Sequence, residues 1–319
     1  MPTLPLNTHL IDVGPLVYGC MALGGDWGDS PVSEADIAQA HAAVEAALDI
    51  GVKLFDHADI YRRGKAEAVF GELLKRDPGL RARVRLQSKC GIRFADDTRV
   101  GRYDLSAEHI EHSVDRILQR LGVGCIDILL LHRPDALMEP AEIARAFHRL
   151  KAAGKVAHLG VSNMHAGQMR WLQAALNEPL VVNQLELSLA KLDAIDVGTT
   201  FNDPQAAARP GGIAWAGTLE YAQQHGVQLQ AWGSLAQGRF NEPAASRAAA
   251  VVHEIAEAHR TTANAVLLAW LLRHPAGIQP VIGSGNAARI RACADAVTIT
   301  LSRDEWYRLY VTARGQALP

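Results

Sequence analysis

The chain has little that would tie it to a membrane, a nucleic acid or an oxidising compartment. Its four cysteines, Cys20, Cys90, Cys125 and Cys293, lie far apart with no C-x-x-C pair. They read as reduced, buried thiols of a cytoplasmic protein. No apolar run reaches the ~20 residues that a membrane helix needs. The start, Met1-Pro2-Thr3-Leu4-Pro5-Leu6, has no basic region followed by an apolar one, so no signal peptide is expected. The net charge is only -2, with Lys and Arg scattered, which leaves no footprint for a nucleic acid or a polybasic membrane patch. What is there is a chain of 319 residues, 49% of them apolar, with a mean hydropathy near zero. That is enough for one large domain or two ordinary ones, with a substantial core.

Eight short apolar segments recur, each followed by helical periodicity. Residues 16–21, 53–56, 83–89, 125–131, 156–161, 180–185, 227–232 and 279–282 read as strands. The segment 125–131 is almost wholly apolar, as a strand covered on both faces should be. Ile37, Ala40, Val44, Ala47 and Leu48 share one helix face, opened by Ser33 with Asp36 and stopped by Gly51. Ser106 caps a helix carrying Ile110, Val114, Ile117, Leu118 and Leu121, with Leu105 and Ile110 placed as a staple and Gly122 at its end. Residues 4–13 suggest a short N-terminal hairpin, and 189–213 a long loop. Two helices, near 246–259 and 263–273, precede the last strand, and a terminal helix starts at Ser302. Strand alternating with helix, with no break in composition, implies a parallel sheet. Eight units imply an (α/β)8 TIM barrel of one domain, residues 1–319, with a doubly wound open sheet as the alternative.

The polar residues gather at one end of these segments. Leu54-Phe55-Asp56-His57-Ala58-Asp59-Ile60-Tyr61 starts as a buried strand and turns polar where its apolar run stops. Neither a carboxylate at a strand end nor a phenol beside it helps to fill a core. Burying the charge costs several kcal/mol unless it is paired. Lys89, at the end of the next apolar strand, is the first candidate partner of Asp56, and the strand after that ends Leu131-His132-Arg133. Ser162-Asn163, Gln184, Trp232 and Ser284 close four more strands at the same rim, where barrels carry their chemistry. Any one of them alone reads as a satisfied loop residue. Seven strand ends on one rim do not.

Tyr61, Lys89, Asp56 and His132 make a proton-transfer set that needs no metal. A phenol titrates near ~10, too high for a good acid at neutral pH. A nearby ammonium lowers that value, a carboxylate holds and tempers the ammonium, and an imidazole orients a carbonyl. The set fits a general acid that protonates a developing alkoxide. A hydride carrier needs an anchor. Gly283-Ser284-Gly285-Asn286 is a strand-to-helix turn whose backbone N–H groups face an incoming phosphate, and Arg289 on the first helical turn can fork onto a second. Trp232 offers a flat surface to an aromatic ring, while Ser162, Asn163 and Gln184 can bond a carboxamide.

In order along the chain stand Phe55-Asp56 with Tyr61 five residues on, Ser88-Lys89, Leu130-Leu131-His132, Gly154-Lys155-Val156 leading to Gly160-Val161-Ser162-Asn163, and Asn183-Gln184. With these motifs the sequence resembles the aldo-keto reductases over nearly its whole length, and within them the short-tailed bacterial oxidoreductases. The resemblance implies a barrel that binds NADPH across its rim and reduces aldehydes or ketones reversibly to alcohols. It makes Tyr61 the acid, Lys89 and Asp56 its tuners, and His132 the orienter of the carbonyl. Ser162, Asn163 and Gln184 would hold the nicotinamide amide, and Trp232 would stack on its ring. Gly19 and Met21 after the first strand, Gly233, Ser234, Leu235 and Arg239 after the seventh, and Gly283, Ser284, Asn286 and Arg289 after the eighth complete the expected coenzyme contacts. Trp27, His57 and Arg133 are the expected substrate pocket, a partly aromatic mouth.

Two departures from the family pattern matter. The phosphate turn lacks the lysine that many relatives carry for the 2′-phosphate, so Arg289 is left as the anchor and NADH stands as a second coenzyme. Only Gly315 to Pro319 follow the last helix, so the loops 22–32, 91–104 and 189–213 must shape specificity. A nicotinamide-sensing binding subunit of the same fold is the alternative, and it would not require an intact tetrad. His109-x-x-His112 lies on a helix with no third ligand nearby in sequence, so no metal is expected. The expected partner is a small carbonyl compound, without nucleic acid or membrane, bound by a monomer or weak homo-oligomer.

Overall fold

The computed structural model describes residues 4–10, 12–199 and 216–319. Eight strands, here β1 (Val17–Gly19), β2 (Leu54–Asp56), β3 (Arg85–Cys90), β4 (Ile126–Leu131), β5 (Val156–Ser162), β6 (Val182–Glu186), β7 (Gln228–Trp232) and β8 (Gln279–Ile282), pair in chain order into a closed parallel barrel. Val17 opposite Val281 and Tyr18 opposite Ile282 seal the seam between β1 and β8. Each strand falls within two residues of its expected place, because a short apolar run bounded by polar residues marks a strand covered on both faces.

The helices close as their caps dictate. Ser33 and Asp36 form a reciprocal capping box on Glu34–Asp49, and the Ser106 hydroxyl accepts the His109 N–H at the start of Ala107–Leu121. Gly122 ends that helix at φ 66, the left-handed conformation a glycine adopts cheaply. Helices Arg247–Ala258 and Ala263–Leu272 precede β8, and Arg303–Arg314 is the terminal helix. No helix among the described residues is long and apolar enough to cross a membrane.

The N-terminal segment is not a hairpin. Pro5 opens a 3-10 helix, Pro5–Thr8, instead. Proline has no N–H for a strand ladder and its fixed φ suits the first helical position. Leu4, Leu6, Leu10 and Val13 then plug the amino end of the barrel against Val17, Leu54, Ile128, Leu130, Val181, Val182 and Val281. The loop 91–104 contains a small antiparallel ribbon, Ile92–Arg93 with Arg102–Tyr103. Asp193–Thr199 is a helix within the stretch 189–213. Residues 200–213 of that stretch, and the expected start of the next helix at 215, lie outside the described residues; that helix is described as Thr218–His225.

Candidate active site

Three strand ends meet at the carboxyl rim. Asp56 ends β2, Lys89 stands one residue before the end of β3, and His132 follows β4 directly. The loop between Asp56 and Tyr61 is laid along β3 by backbone bonds, His57 N–H to Gln87 C=O at 2.8 Å and Asp59 N–H to Lys89 C=O at 3.0 Å. Tyr61 then enters a tight turn in which Arg62, Arg63 and Gly64 are all left-handed, at φ 51, 56 and 89. Two non-glycine residues in that region cost roughly 1–2 kcal/mol each. Arg62 Nε donates to the Met21 carbonyl and Arg63 Nε to the Trp27 carbonyl, each at 3.0 Å, and these bonds hold the turn.

The result is one compact group. Lys89 Nζ donates to Asp56 Oδ2 at 2.6 Å, to the His57 carbonyl at 2.9 Å and to Tyr61 Oη at 3.0 Å. The Tyr61 and His132 rings meet edge to face, with centroids 6.0 Å apart. Lys89 and Asp56 are almost wholly buried, and the pair is sound because every ammonium proton has an acceptor. Burial alone would lower the Lys89 ammonium; the Asp56 carboxylate and the Tyr61 oxygen hold it above its ordinary value instead. Burial, with the charges of Lys89 and Arg133 beside it, holds His132 well below the usual imidazole range, so its ring is neutral at pH 7. Tyr61 corrects the expectation from sequence. Burial pushes its phenol up, and the pull of Lys89 in the other direction does not overcome it, partly because Asp56 adds to the rise. The ammonium opposes the burial but does not by itself make the phenol a stronger acid than free tyrosine.

His57 is a second correction. It does not line the mouth: it is fully buried, edge to face with Phe70 at 4.8 Å, and both ring nitrogens lack a partner. Burial, then the nearby Lys89 ammonium, pushes its ring down to about 3, so it is neutral core. Behind the group, Glu67 accepts from Ser88 Oγ at 2.6 Å and from Arg120 Nε at 2.7 Å.

Four of the residues expected at the coenzyme also come together. Ser162 Oγ donates to the Gln184 carbonyl at 2.9 Å, Asn163 Nδ2 to Ser162 Oγ at 2.8 Å, and Trp232 Nε1 to Asn163 Oδ1 at 3.1 Å. Arg133 places its guanidinium 5.9 Å from the Trp232 ring centre, and Arg62 stands over exposed Trp27 at 5.2 Å. Ser234 is buried with its hydroxyl on the Val281 carbonyl, 2.8 Å away, so that side chain is turned from the rim. Leu235 is half-buried and Met21 exposed. In the turn after β8, Asn286 Oδ1 caps the Arg289 N–H at 3.1 Å, and Tyr18 Oη donates to the Ser284 carbonyl at 2.8 Å. A Cβ on Gly19 would stand 3.0 Å from Val281 Cγ1, a tight contact that Val281 would have to yield to. Arg239 and Arg289, following adjacent strands, are exposed and make no ion pair among the described residues. Two exposed guanidiniums on the segments after adjacent strands, which also carry Gly233 and Gly283, fit a ligand carrying phosphates. Among the described residues no cluster of His, Cys, Asp and Glu is arranged to hold a metal ion.

Sequence reading missed the layer beneath. Gln87, Gln230 and Gln279 are buried in the barrel interior and bonded to one another and to Asp56 and Gln184. Their signal was present, as uncharged amides inside strand segments rather than at their carboxyl ends.

The family model of the aldo/keto reductases matches residues 15–310. The chain is 37% identical over 310 residues, 96% of each protein, to 6-dehydroglucose reductase from Agrobacterium fabrum. It is 35% identical over 318 residues to the protein of the same name from Novosphingobium aromaticivorans, covering 97% of this chain and 94% of that one. Among solved structures it is similar to an aldo-keto reductase from Klebsiella pneumoniae in complex with NADPH, with a TM-score of 0.74, 26% identity and coverage of 96% and 92%.

Proposed function

This chain belongs to the aldo/keto reductase family, and on that premise we propose that Tyr61 protonates the carbonyl oxygen of a small aldehyde or ketone while NADPH supplies the hydride. The observation that carries this reading is Lys89 Nζ, which bridges Asp56 Oδ2 at 2.6 Å and Tyr61 Oη at 3.0 Å. A phenol that gives up its proton becomes an anion, and a fixed ammonium at hydrogen-bond distance stabilises that anion as it forms. Asp56 keeps the ammonium in place. His132 is neutral and its Nδ1 is buried without a partner, so Nε2 is the nitrogen left to meet the carbonyl oxygen.

For the coenzyme, Ser162, Asn163 and Gln184 are the proposed holders of the carboxamide and Trp232 the surface for the ring. Gly19, Met21 and the turns Gly233–Leu235 and Gly283–Asn286 supply backbone, and Arg239 and Arg289 bind phosphate. Two relatives named 6-dehydroglucose reductase support a polyhydroxylated aldehyde as the substrate class. A mouth with Trp27 for a sugar face and Arg133 for hydroxyl or carbonyl oxygens suits it.

Tyr61→Phe tests the reading. Carbonyl reduction should fall at least ~100-fold in kcat, the lower range for general acid catalysis, with NADPH affinity nearly unchanged in a fluorescence titration. Retention of most activity would move the proton donor elsewhere.

A further inference from the structure

We infer that Gln230 and Gln87 are positioning residues that set the Asp56 carboxylate and the Gln184 amide from a single chain of buried side-chain amides. The inference rests on the proton donor and coenzyme site proposed above. Gln87 Nε2 donates to Asp56 Oδ1 at 2.6 Å and to Gln230 Oε1 at 2.9 Å. Gln184 Nε2 donates to the same Gln230 oxygen at 3.0 Å. Gln230 Nε2 donates to Gln279 Oε1 at 3.1 Å, and Gln279 Nε2 to the Gly14 carbonyl at 2.7 Å. All four amides are buried, each on a different strand, β3, β6, β7 and β8. Filling a core does not call for them: a buried amide costs free energy until it is bonded.

The polarity of the chain is fixed by one backbone group. The Gly14 carbonyl only accepts, so Gln279 must turn Nε2 to it and Oε1 to Gln230. Gln230 must then present Nε2 to Gln279 and Oε1 to its two other neighbours, and both of those must donate. Two consequences follow. Gln184 has one N–H committed to Gln230 and keeps its Oε1 turned away from that amide, where it can accept from the N–H of a carboxamide. Gln87 spends both N–H groups, one of them on Asp56, while its own oxygen stays buried without a partner. An orphan acceptor kept in place is what a functional orientation looks like.

The pH profile of Tyr61 reads this out. The groups that face Tyr61 and its partners are Lys89 from β3, Asp56 and His57 from β2 and its loop, Cys20 after β1, His132 and Arg133 after β4, and Glu67 with Arg120 behind. Without the Gln87 donor, Asp56 binds the Lys89 ammonium more tightly and less of that charge reaches the phenolate.

Alcohol oxidation and NADP+ titration with Gln87→Met and Gln230→Met make the test. Gln87→Met should move the basic limb of oxidation kcat upward by at least ~0.5 pH with NADP+ affinity within about threefold of wild type. Gln230→Met should move the limb less and weaken NADP+ about tenfold, the effect of one lost alignment at Gln184. The double variant should show no more limb shift than Gln87→Met alone, since the route to Asp56 runs through Gln87. Wild-type limbs in the folded variants, or additive shifts, would overturn the inference. Should Gln230→Met fail to fold, the limb of Gln87→Met decides alone. If Tyr61→Phe is inactive while the glutamine variants keep wild-type profiles, only this inference falls. If Tyr61→Phe stays active, the assignment of the acid falls first.

Discussion

The two ends of the barrel are built from the same strands and obey opposite rules. β2 begins with Leu54 in the apolar plug and ends two residues later on Asp56, bonded to an ammonium. β4 carries Ile128 and Leu130 into the plug and hands the chain to His132 at the rim. At the amino end the plug is an aliphatic cluster sealed by Leu4, Leu6 and Leu10. The buried polar groups beside it are bonded, Gln228 to the Leu6 N–H and the Gly277 carbonyl, and Gln279 to the Gly14 carbonyl. At or just below the carboxyl end stand buried atoms without a partner, among them both His57 ring nitrogens, Asp59 Oδ1, Gln87 Oε1 and His132 Nδ1. One end contributes stability through area removed from water. The other tolerates charge and orphaned polar atoms, which a fold accepts only where the geometry is needed for something else.

The largest expected effect comes from breaking the polar end. Lys89→Met removes the ammonium that bridges Asp56 and Tyr61. Carbonyl reduction should drop by more than ~100-fold, because the phenolate loses its neighbouring charge. Asp56 is left as a buried carboxylate without its cation, so unfolding free energy should also fall, by about 3–5 kcal/mol. Activity lost with melting unchanged would mean that Asp56 finds another partner, and the balance of the site drawn above would be wrong.

Leu6→Ala is the matching cut at the other end. Leu6 is fully buried in the plug, and truncation should cost about 2–5 kcal/mol, the range for a leucine cavity in a core. The folded variant should keep wild-type kcat and NADPH affinity at 25 °C. A changed kcat would show that the plug and the rim are coupled, and the contrast between the ends would blur.

How much of this was legible beforehand follows from the same contrast. A strand covered on both faces shows itself as a short apolar run, and its carboxyl end shows itself where the run breaks, as at Phe55-Asp56 and Leu131-His132. Barrel, strand order and the residues of the rim could therefore be read from the chain. The plug was misread as a hairpin because apolar residues broken by proline fit either form, and only the barrel mouth beneath them decides. His57 was misplaced because a polar residue inside a rim motif carries no mark of which way it turns; Phe70 receives it. The glutamine chain joins residues 143 apart, Gln87 and Gln230, and spacing along a sequence has no access to neighbours across a barrel.

The smallest expected effect separates the ends by pH. Asp59 lies between Asp56 and Tyr61 along the chain, half-buried, with its Oδ1 buried and unpartnered. Burial, and then the neighbouring Glu67 carboxyl, push its own up to about 7, against the pull of Arg120, the Ile60 N–H and the Ser113 hydroxyl. In the unfolded chain an aspartate titrates near ~3.9. Between ~4 and 7 the folded protein holds a proton that the unfolded chain has released, so a rise in pH across that window favours unfolding. The contribution of Asp59 is thus fully present below ~4, is lost as pH rises to its folded value, and is flat above it. Asp59→Asn removes the titration and keeps the shape. The variant's melting temperature minus that of wild type should grow by about 4–10 °C between pH 5 and pH 8, because a carboxyl moved from ~3.9 to about 7 leaves roughly 2–3 kcal/mol of linkage in that window. Leu6→Ala, whose cluster holds only aliphatic side chains, should show the same offset at both pH values. A pH-independent offset for Asp59→Asn as well would mean that Asp59 titrates as it does in water, and the two ends would then respond to protons alike.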